Sequence, residues 1–274
     1  MQLYNKLSKK ERLDLINKAG EKRLTLSFYK YSKIKNTSIL RNFLFVHLDE
    51  LNVLGRIYIA SEGINAQLSV PAIKLIEFKN SIDSISFLNG VRLNIAIEHN
   101  NEAFLKLKIK IKEKIVADGL NRNDYDLDVR GKHVNAEEFN ELLEDKNTIT
   151  IDMRNHYESE VGHFIGANLP DVDTFRESLP LIKNKYKSYK KNKKILMYCT
   201  GGIRCEKASA YLLNKGFKNV YQLNGGIVEY ARQVKENKIE NKFVGKNFVF
   251  DNRLGERISN DIISNCHQCG EKCD

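Results

Sequence analysis

At 274 residues the chain has the length of two ordinary domains, and with 42% hydrophobic and 29% charged side chains it has enough apolar material for real cores. A mean hydropathy of −0.46, no apolar run near the ~18–20 residues that cross a bilayer, and residues 1–10 without an apolar stretch argue against a membrane span and a secretory signal, so the expectation is a cytoplasmic protein. The net charge of +10 is unevenly spread: +8 over residues 1–120, −8 over 121–180, +12 over 181–250 and −2 beyond. Two basic stretches separated by an acidic one point to an anionic partner, although a drift toward solvated lysines, as in residues 183–194, gives the same sum.

Residues 24–31 alternate as a strand, and residues 37–51 place Ile39, Leu40, Phe43, Leu44, His47 and Leu51 at helical spacing. Two β-rich runs over 55–70 flank Glu62-Gly63, Pro71 is placed to open a second helix, and residues 91–98 and 104–116 supply further strand. The order βαββαβ over residues 1–120 predicts a ferredoxin-like α+β sandwich, with helices on one face of an antiparallel sheet and the other face free to bind. Within the last strand Lys106, Lys108, Lys110, Lys112 and Lys114 alternate with Leu107, Ile109, Ile111 and Glu113, which directs all five ammonium groups to one face. Same-face neighbours lie roughly 6.6 Å apart on a strand, a spacing commensurate with successive phosphates, so the lysines are candidate RNA contacts. An edge strand guarded by lysine against aggregation is the competing reading.

Residues 121–130 (NRNDYDLDVR) are polar and aperiodic, lie where the charge changes sign, and are read as a linker. Beyond it Asn135 caps a helix with Glu138 three residues on, and strands at 148–153, 195–198 and 219–223 alternate with helices near 174–189, 205–215 and 227–235. That alternation predicts a parallel α/β sheet over 131–240. The tail, 241–274, is too short for a core of its own.

All five cysteines lie at or beyond Cys199, an odd, clustered set that argues for thiol chemistry or metal binding rather than a disulfide framework. In the segment KILMYCTGGIRCEKASAYLLNKG an apolar strand runs into Cys199 and a helix follows. Thr200, Gly201, Gly202, Ile203 and Arg204 form the connecting loop. Two glycines allow successive N–H groups to turn inward, the helix start adds partial positive charge, and Arg204 adds a fixed fork of donors. Such an anion cradle lowers a thiol pKa from about 8.5 toward neutrality, making Cys199 a nucleophile. Arg204 is the fifth residue after Cys199, a ring that suits a sulfur or oxygen adduct better than a tetrahedral phosphate. Cys205, at the start of the following helix, is expected to have a lowered pKa too and is a candidate resolving thiol, or it only packs there. A structural cysteine beside a glycine turn is the bland reading of Cys199. At the end of the chain NCHQCGEKCD presents Cys266, Cys269 and Cys273 with His267 between the first two. Cys-x2-Cys is half of a zinc knuckle, so these residues are candidate ligands of a zinc site that, with the chain stopping at Asp274, looks cut in half.

The segments IDMRNHYESEVGHFIGA (151–167), YCTGGIRCEKASAYL and YQLNGGIVEY resemble a rhodanese domain. FYKY, GRIYIASEGINAQLSVP and KIKEKIVADG, upstream, resemble the N-terminal domain of the bacterial rhodanese-related tRNA uridine hydroxylases. The resemblance runs from Phe28 to Cys273. It implies a rhodanese-type α/β fold for 131–240 and oxygen-dependent 5-hydroxylation of the wobble uridine in the anticodon loop of tRNA, with O2 as co-substrate and Cys199 in the position of the essential cysteine. Asp152, Arg154, Glu158, Gly162 and His163 match the first rhodanese signature and are expected to be structural, Asp152 holding the active loop through backbone bonds and His163 packing under it. Arg56, Tyr58 and Glu62–Asn65 would approach a base. Two other classes compete: a sulfurtransferase carrying a persulfide on Cys199, as the loop alone would predict, and a non-catalytic RNA adaptor, which Cys199 argues against. No dinucleotide fingerprint, flavin motif or facial-triad iron site is evident, so the sequence names neither a cofactor nor the reductant, and it leaves the oligomeric state open.

Overall fold

Where strand and helix signals alternate from residue 23 onward, the computed structural model, which describes residues 3, 5, 7–266 and 268–273, builds two compact units. The first comprises Met1–Val116 and Phe250–Leu254. Its elements are α1 (Lys9–Ala19), β1 (Arg23–Tyr31), α2 (Thr37–Glu50), β2 (Leu54–Ala60), β3 (Gly63–Pro71), α3 (Leu75–Asp83), β4 (Asn94–Ile95) and β5 (Leu107–Ile111). The sheet order is β4-β1-β3-β2-β5; β5 runs parallel to β2 and the other pairings are antiparallel. Period-two patterning sets the faces: Ile57 and Ile59 of β2 are buried while Arg56 and Tyr58 are half-exposed. The buried face meets Leu40, Leu44 and Leu48 of α2 and Phe78 and Ile82 of α3, each such side chain contributing about 1.5–3 kcal/mol over exposure. This is the expected ferredoxin-like sandwich with β5 added at one edge.

Three local expectations give way. Pro71 ends β3 in an extended conformation instead of opening the helix, because Ala72 N–H still pairs with Lys22 O (2.8 Å); one 3-10 turn intervenes before Leu75. The strand expected over 91–98 shrinks to Asn94–Ile95, since the β1 donors find loop side chains: Thr25 N–H donates to His99 Nδ1 (3.2 Å) and Arg23 N–H to Asn101 Oδ1 (2.9 Å). Helix α1 lies outside the predicted elements, although Ser8 and Glu11 carry its reciprocal cap.

The second unit is Ala117–Val249 with Gly255–Asp274. It contains β6 (Lys132–Val134), α4 (Ala136–Glu144), β7 (Thr148–Asp152), α5 (His156–Ser159), β8 (Gly162–Phe164), α6 (Phe175–Lys185), β9 (Lys194–Tyr198), α7 (Ile203–Asn214), β10 (Asn219–Leu223), α8 (Gly226–Asn237), β11 (Phe243–Phe248) and β12 (Gly255–Arg257). β6, β10, β9 and β7 form the expected parallel sheet in that order. Asn135 and Glu138 cap α4 reciprocally. The segment 121–130 packs within this unit: Lys215 Nζ reaches Asp124 (2.8 Å) and Lys207 Nζ lies 5.2 Å over the Tyr125 ring. Its polar residues read as linker because their partners, on α7 and at its C-terminal cap, are more than eighty residues away. β11, in the expected tail, pairs with β8 and places Phe243 5.2 Å from Phe164 in the aromatic core. Among the described residues, no helix is long and apolar enough to cross a membrane.

Candidate active site

Cys199 is the first residue past β9. The strand's end is held by β7, whose Asp152 is the register partner of Tyr198, and by Met153 N–H donating to Tyr198 O (2.9 Å). The loop then turns through Gly202, whose φ of +96° only glycine adopts cheaply, and enters α7. From the other side α8 begins against the loop: Ile227 N–H donates to Cys199 O (3.0 Å) and Val228 N–H to Thr200 O (3.2 Å). With the loop carbonyls so engaged, loop amides face the sulfur. Gly202 N–H donates to Cys199 Sγ (3.2 Å), and the N–H groups of Arg204 and Cys205 do likewise. Gly226 makes this approach possible. At φ +68° its Cβ would lie 2.5 Å from Cys199 O and 2.6 Å from Thr200 O.

Cys199 is fully buried, and burial alone would push its thiol up. The Cys205 thiol donating to the sulfur, the Arg204 charge and the two α7 amides outweigh that, so the pKa falls to about 6. A value of about 6 favours the thiolate at neutral pH, the direction expected of an anion cradle. Cys205 departs from expectation: burial, then the adjacent Cys199 sulfur, push its thiol well up, so it stays protonated and serves as donor. The helix start does not lower it because the Cys205 side chain lies against an anion in a dry interior.

Arg204 is in place but is shared. Its guanidinium forks onto the fully buried Glu158 carboxylate (Nη1–Oε1 2.6 Å, Nη2–Oε2 2.8 Å) and donates weakly to Thr200 Oγ1 (3.4 Å). Burial would raise the Glu158 pKa, and the Arg204 charge and bonds reverse this, keeping it ionised. Asp152 does not hold the loop through backbone bonds with its carboxylate: it is paired, wholly buried, with Arg154 (2.6 Å), which also donates to Gly162 O. His163 bonds Ser159 O through Nδ1 (2.9 Å) and is fixed to α5. Gly201 and Gly202 complete the loop, and Ile203, expected within it, already opens α7. The glycine turn before α8 is a part of the site that sequence reasoning missed; two adjacent glycines preceding a helix, as in the Cys199 loop itself, are the signal that marks it.

In the first unit the lysine pattern is cut short. Only Lys108 and Lys110 lie within β5, both exposed; backbone pairing reaches Lys106 and Lys112 on either side (Gly55 N–H to Lys106 O, Lys112 N–H to Ile59 O, 2.8–2.9 Å). Lys114 is past the strand and half-buried, because Ile115 N–H turns to Glu62 Oε1 (2.9 Å) and ends the alternation. Glu62 and Asn65 thus anchor the chain at Ile115, whose carbonyl accepts from Asn65. Register joins the two expected clusters: Arg56 opposes Lys108 and Tyr58 opposes Lys110, with Lys112 Nζ 5.8 Å over the Tyr58 ring.

In the tail, Asn265 and Lys272 bridge antiparallel, Gly270 N–H donates to Cys266 O (2.8 Å), and the amides of Cys269 and Gln268 lead in pulling the Cys266 thiol down. Among the described residues, no three His, Cys, Asp or Glu side chains are gathered as a metal needs. His267 lies outside the described residues.

Three family patterns cover most of the chain: a UPF0176 acylphosphatase-like domain over residues 23–115, a rhodanese-like domain over 135–233 and a rhodanese C-terminal segment over 244–274. A tRNA uridine(34) hydroxylase of Leptospira interrogans is 53% identical over 99% of this chain and 73% of its own length. Proteins of the same name from Photorhabdus laumondii and Yersinia pestis are each 49% identical over 99% of this chain and 77% of theirs. With the thiolate loop and both units falling inside these alignments, the chain belongs to the tRNA uridine(34) hydroxylase family.

Proposed function

We propose that this protein hydroxylates C5 of the wobble uridine of tRNA with O2, in the cytoplasm, Cys199 being the reacting group. The observation that carries the reading is a cysteine drawn down to about 6 inside a chain 53% identical to a tRNA uridine(34) hydroxylase over 99% of its length. Uracil C5 reacts with an oxygen electrophile more readily once a nucleophile adds at C6, and a thiolate is a suitable adding group. The alternative is that Cys199 is oxidised first and passes oxygen to C5. The complete burial of Cys199 supports the second order of events, because O2 reaches a covered sulfur before a nucleobase does. For its part the chain orients the sulfur with three amides, holds its charge with Arg204, and keeps Arg204 in place with Glu158.

RNA contact is assigned to Lys108 and Lys110, flanked by Lys106 and Lys112, with Lys114 peripheral; Tyr58 and Arg56 share their sheet face. The base is read as extruded from an unstacked anticodon loop. A soft-metal role for Cys266, Cys269 and Cys273 is a separate proposal, which metal analysis of the purified protein checks. The deciding experiment is mass spectrometry of wobble nucleosides from cells with the gene, without it, and with Cys199→Ser, grown with and without oxygen. 5-Hydroxyuridine that depends on both the thiol and oxygen is expected. A thiolated uridine in its place would instead assign persulfide transfer, and a nucleoside pattern indifferent to Cys199 would refute both.

A further inference from the structure

Cys205 is fully buried in the first turn of α7, and its thiol and its backbone N–H both meet the Cys199 sulfur. Five residues, 200–204, separate them in sequence: the active loop and the first two residues of α7. A packing role alone would be served by alanine, which buries no polar group; here a thiol is set against a thiolate, its own S–H directed at the reactive atom. Hydroxylation of a C–H bond by O2 consumes two electrons beyond those the carbon gives, and a dithiol supplies that number on closing to a disulfide.

We propose that Cys199 and Cys205 together are the two-electron donor of each turnover. One C5–H, one O2, the Cys199 thiolate with one proton from solvent, and the Cys205 S–H become one C5–OH, one water and one S–S bond. Transfer of one oxygen atom to C5 leaves the second on Cys199 as a sulfenic acid. The Cys205 sulfur attacks the Cys199 sulfur, the S–O bond breaks, and the hydroxyl leaves with the Cys205 proton as water. A thiol reductant then returns the disulfide to two thiols. This rests on the hydroxylase reading above and extends it by naming where the electrons come from.

The test uses the full chain, reduced and then freed of reductant, mixed aerobically with excess tRNA lacking the modification. The native protein is expected to form about one 5-hydroxyuridine per chain and stop, losing two free thiols per product, with a linked 199–205 peptide by mass spectrometry; dithiothreitol restarts it. Cys205→Ser is expected to form no such link and to leave Cys199 trappable by a dione reagent as sulfenic acid. Ser retains a small hydrogen-bond donor at the position, and a matched melting temperature shows that the variant is folded. Many products per chain without reductant, with both thiols still free, would overturn the inference while leaving the hydroxylase reading standing. Absence of product from the native protein even with dithiothreitol would overturn both.

Discussion

Replacing Arg204 and Glu158 together by glutamine tests whether the buried ion pair sets the state of Cys199. Either change alone would strand a buried charge, a loss of ~3–5 kcal/mol, and would confuse unfolding with chemistry. The double variant removes both charges of the pair, joined by bonds of 2.6 and 2.8 Å, together. What the sulfur loses is a neighbouring positive charge, which ordinarily moves a pKa by ~1–3 units. Cys199 should therefore rise from about 6 into the range ~7–9. At pH 7 the thiolate fraction would fall from ~0.9 to between ~0.5 and ~0.01, and oxygen-dependent product formation should slow by the same ~2- to 90-fold factor and recover at alkaline pH. Thiolate ultraviolet absorbance, taken as the difference between each protein and its Cys199→Ser derivative, reads the midpoint without requiring a reagent to enter. An unchanged midpoint would mean that the amides and Cys205 carry the whole effect and that Arg204 is only scaffolding.

Gly226→Ala is expected to reduce activity and stability together, since the positive φ costs ~1–3 kcal/mol and the added Cβ must displace the Cys199 and Thr200 carbonyls; unchanged activity with normal melting would refute the account of the loop. Lys108→Gln with Lys110→Gln should weaken tRNA binding and reduce the slope of log affinity against log salt by roughly 0.7–0.9 for each phosphate no longer neutralised, as titration at several salt concentrations reads. An unaltered slope would return β5 to edge protection. Because Cys199 is depressed in the folded protein, its contribution to stability is fully present above the unfolded thiol value near ~8.5 and is lost as pH falls through about 6. Denaturation midpoints of native protein relative to Cys199→Ser should fall across that window, and a difference that is flat with pH would contradict a native thiolate.

Much of this architecture is legible in the sequence because its signals are local. The alternation of Ile57 and Ile59 with Arg56 and Tyr58, the Asn135–Glu138 cap, and the strand running into Cys199 are written within a few residues of where they act. The misreadings share the opposite property. Asp124 and Tyr125 read as linker because Lys215 and Lys207, their partners, are distant in sequence. The lysine alternation overstates the length of its strand because Glu62, about fifty residues upstream, captures Ile115 N–H and bends the chain. Asp152 is not free to bind the loop, since its carboxylate is matched by Arg154, two residues on, in a fully buried pair. Cys205 illustrates the remaining gap: helix position alone predicts a lowered pKa, whereas which face of the first turn it occupies decides that it meets an anion instead.

That same placement orders the chemistry. The donors to the Cys199 sulfur are of two kinds: the amides of Gly202, Arg204 and Cys205, fixed by the glycine turn and the helix they begin, and the Cys205 S–H, which turns about its own side-chain bonds. An oxygen atom added to the sulfur can keep the amide bonds, which suit a developing negative charge, and needs space only where the S–H was. Displacing that thiol leaves it beside the newly oxidised sulfur, the position from which attack forms the disulfide. On the proposed dithiol chemistry, the loop would hold the charged reactant and its oxygen adduct with the same backbone groups, while the Cys205 thiol would change from stabilising the thiolate to reducing the adduct.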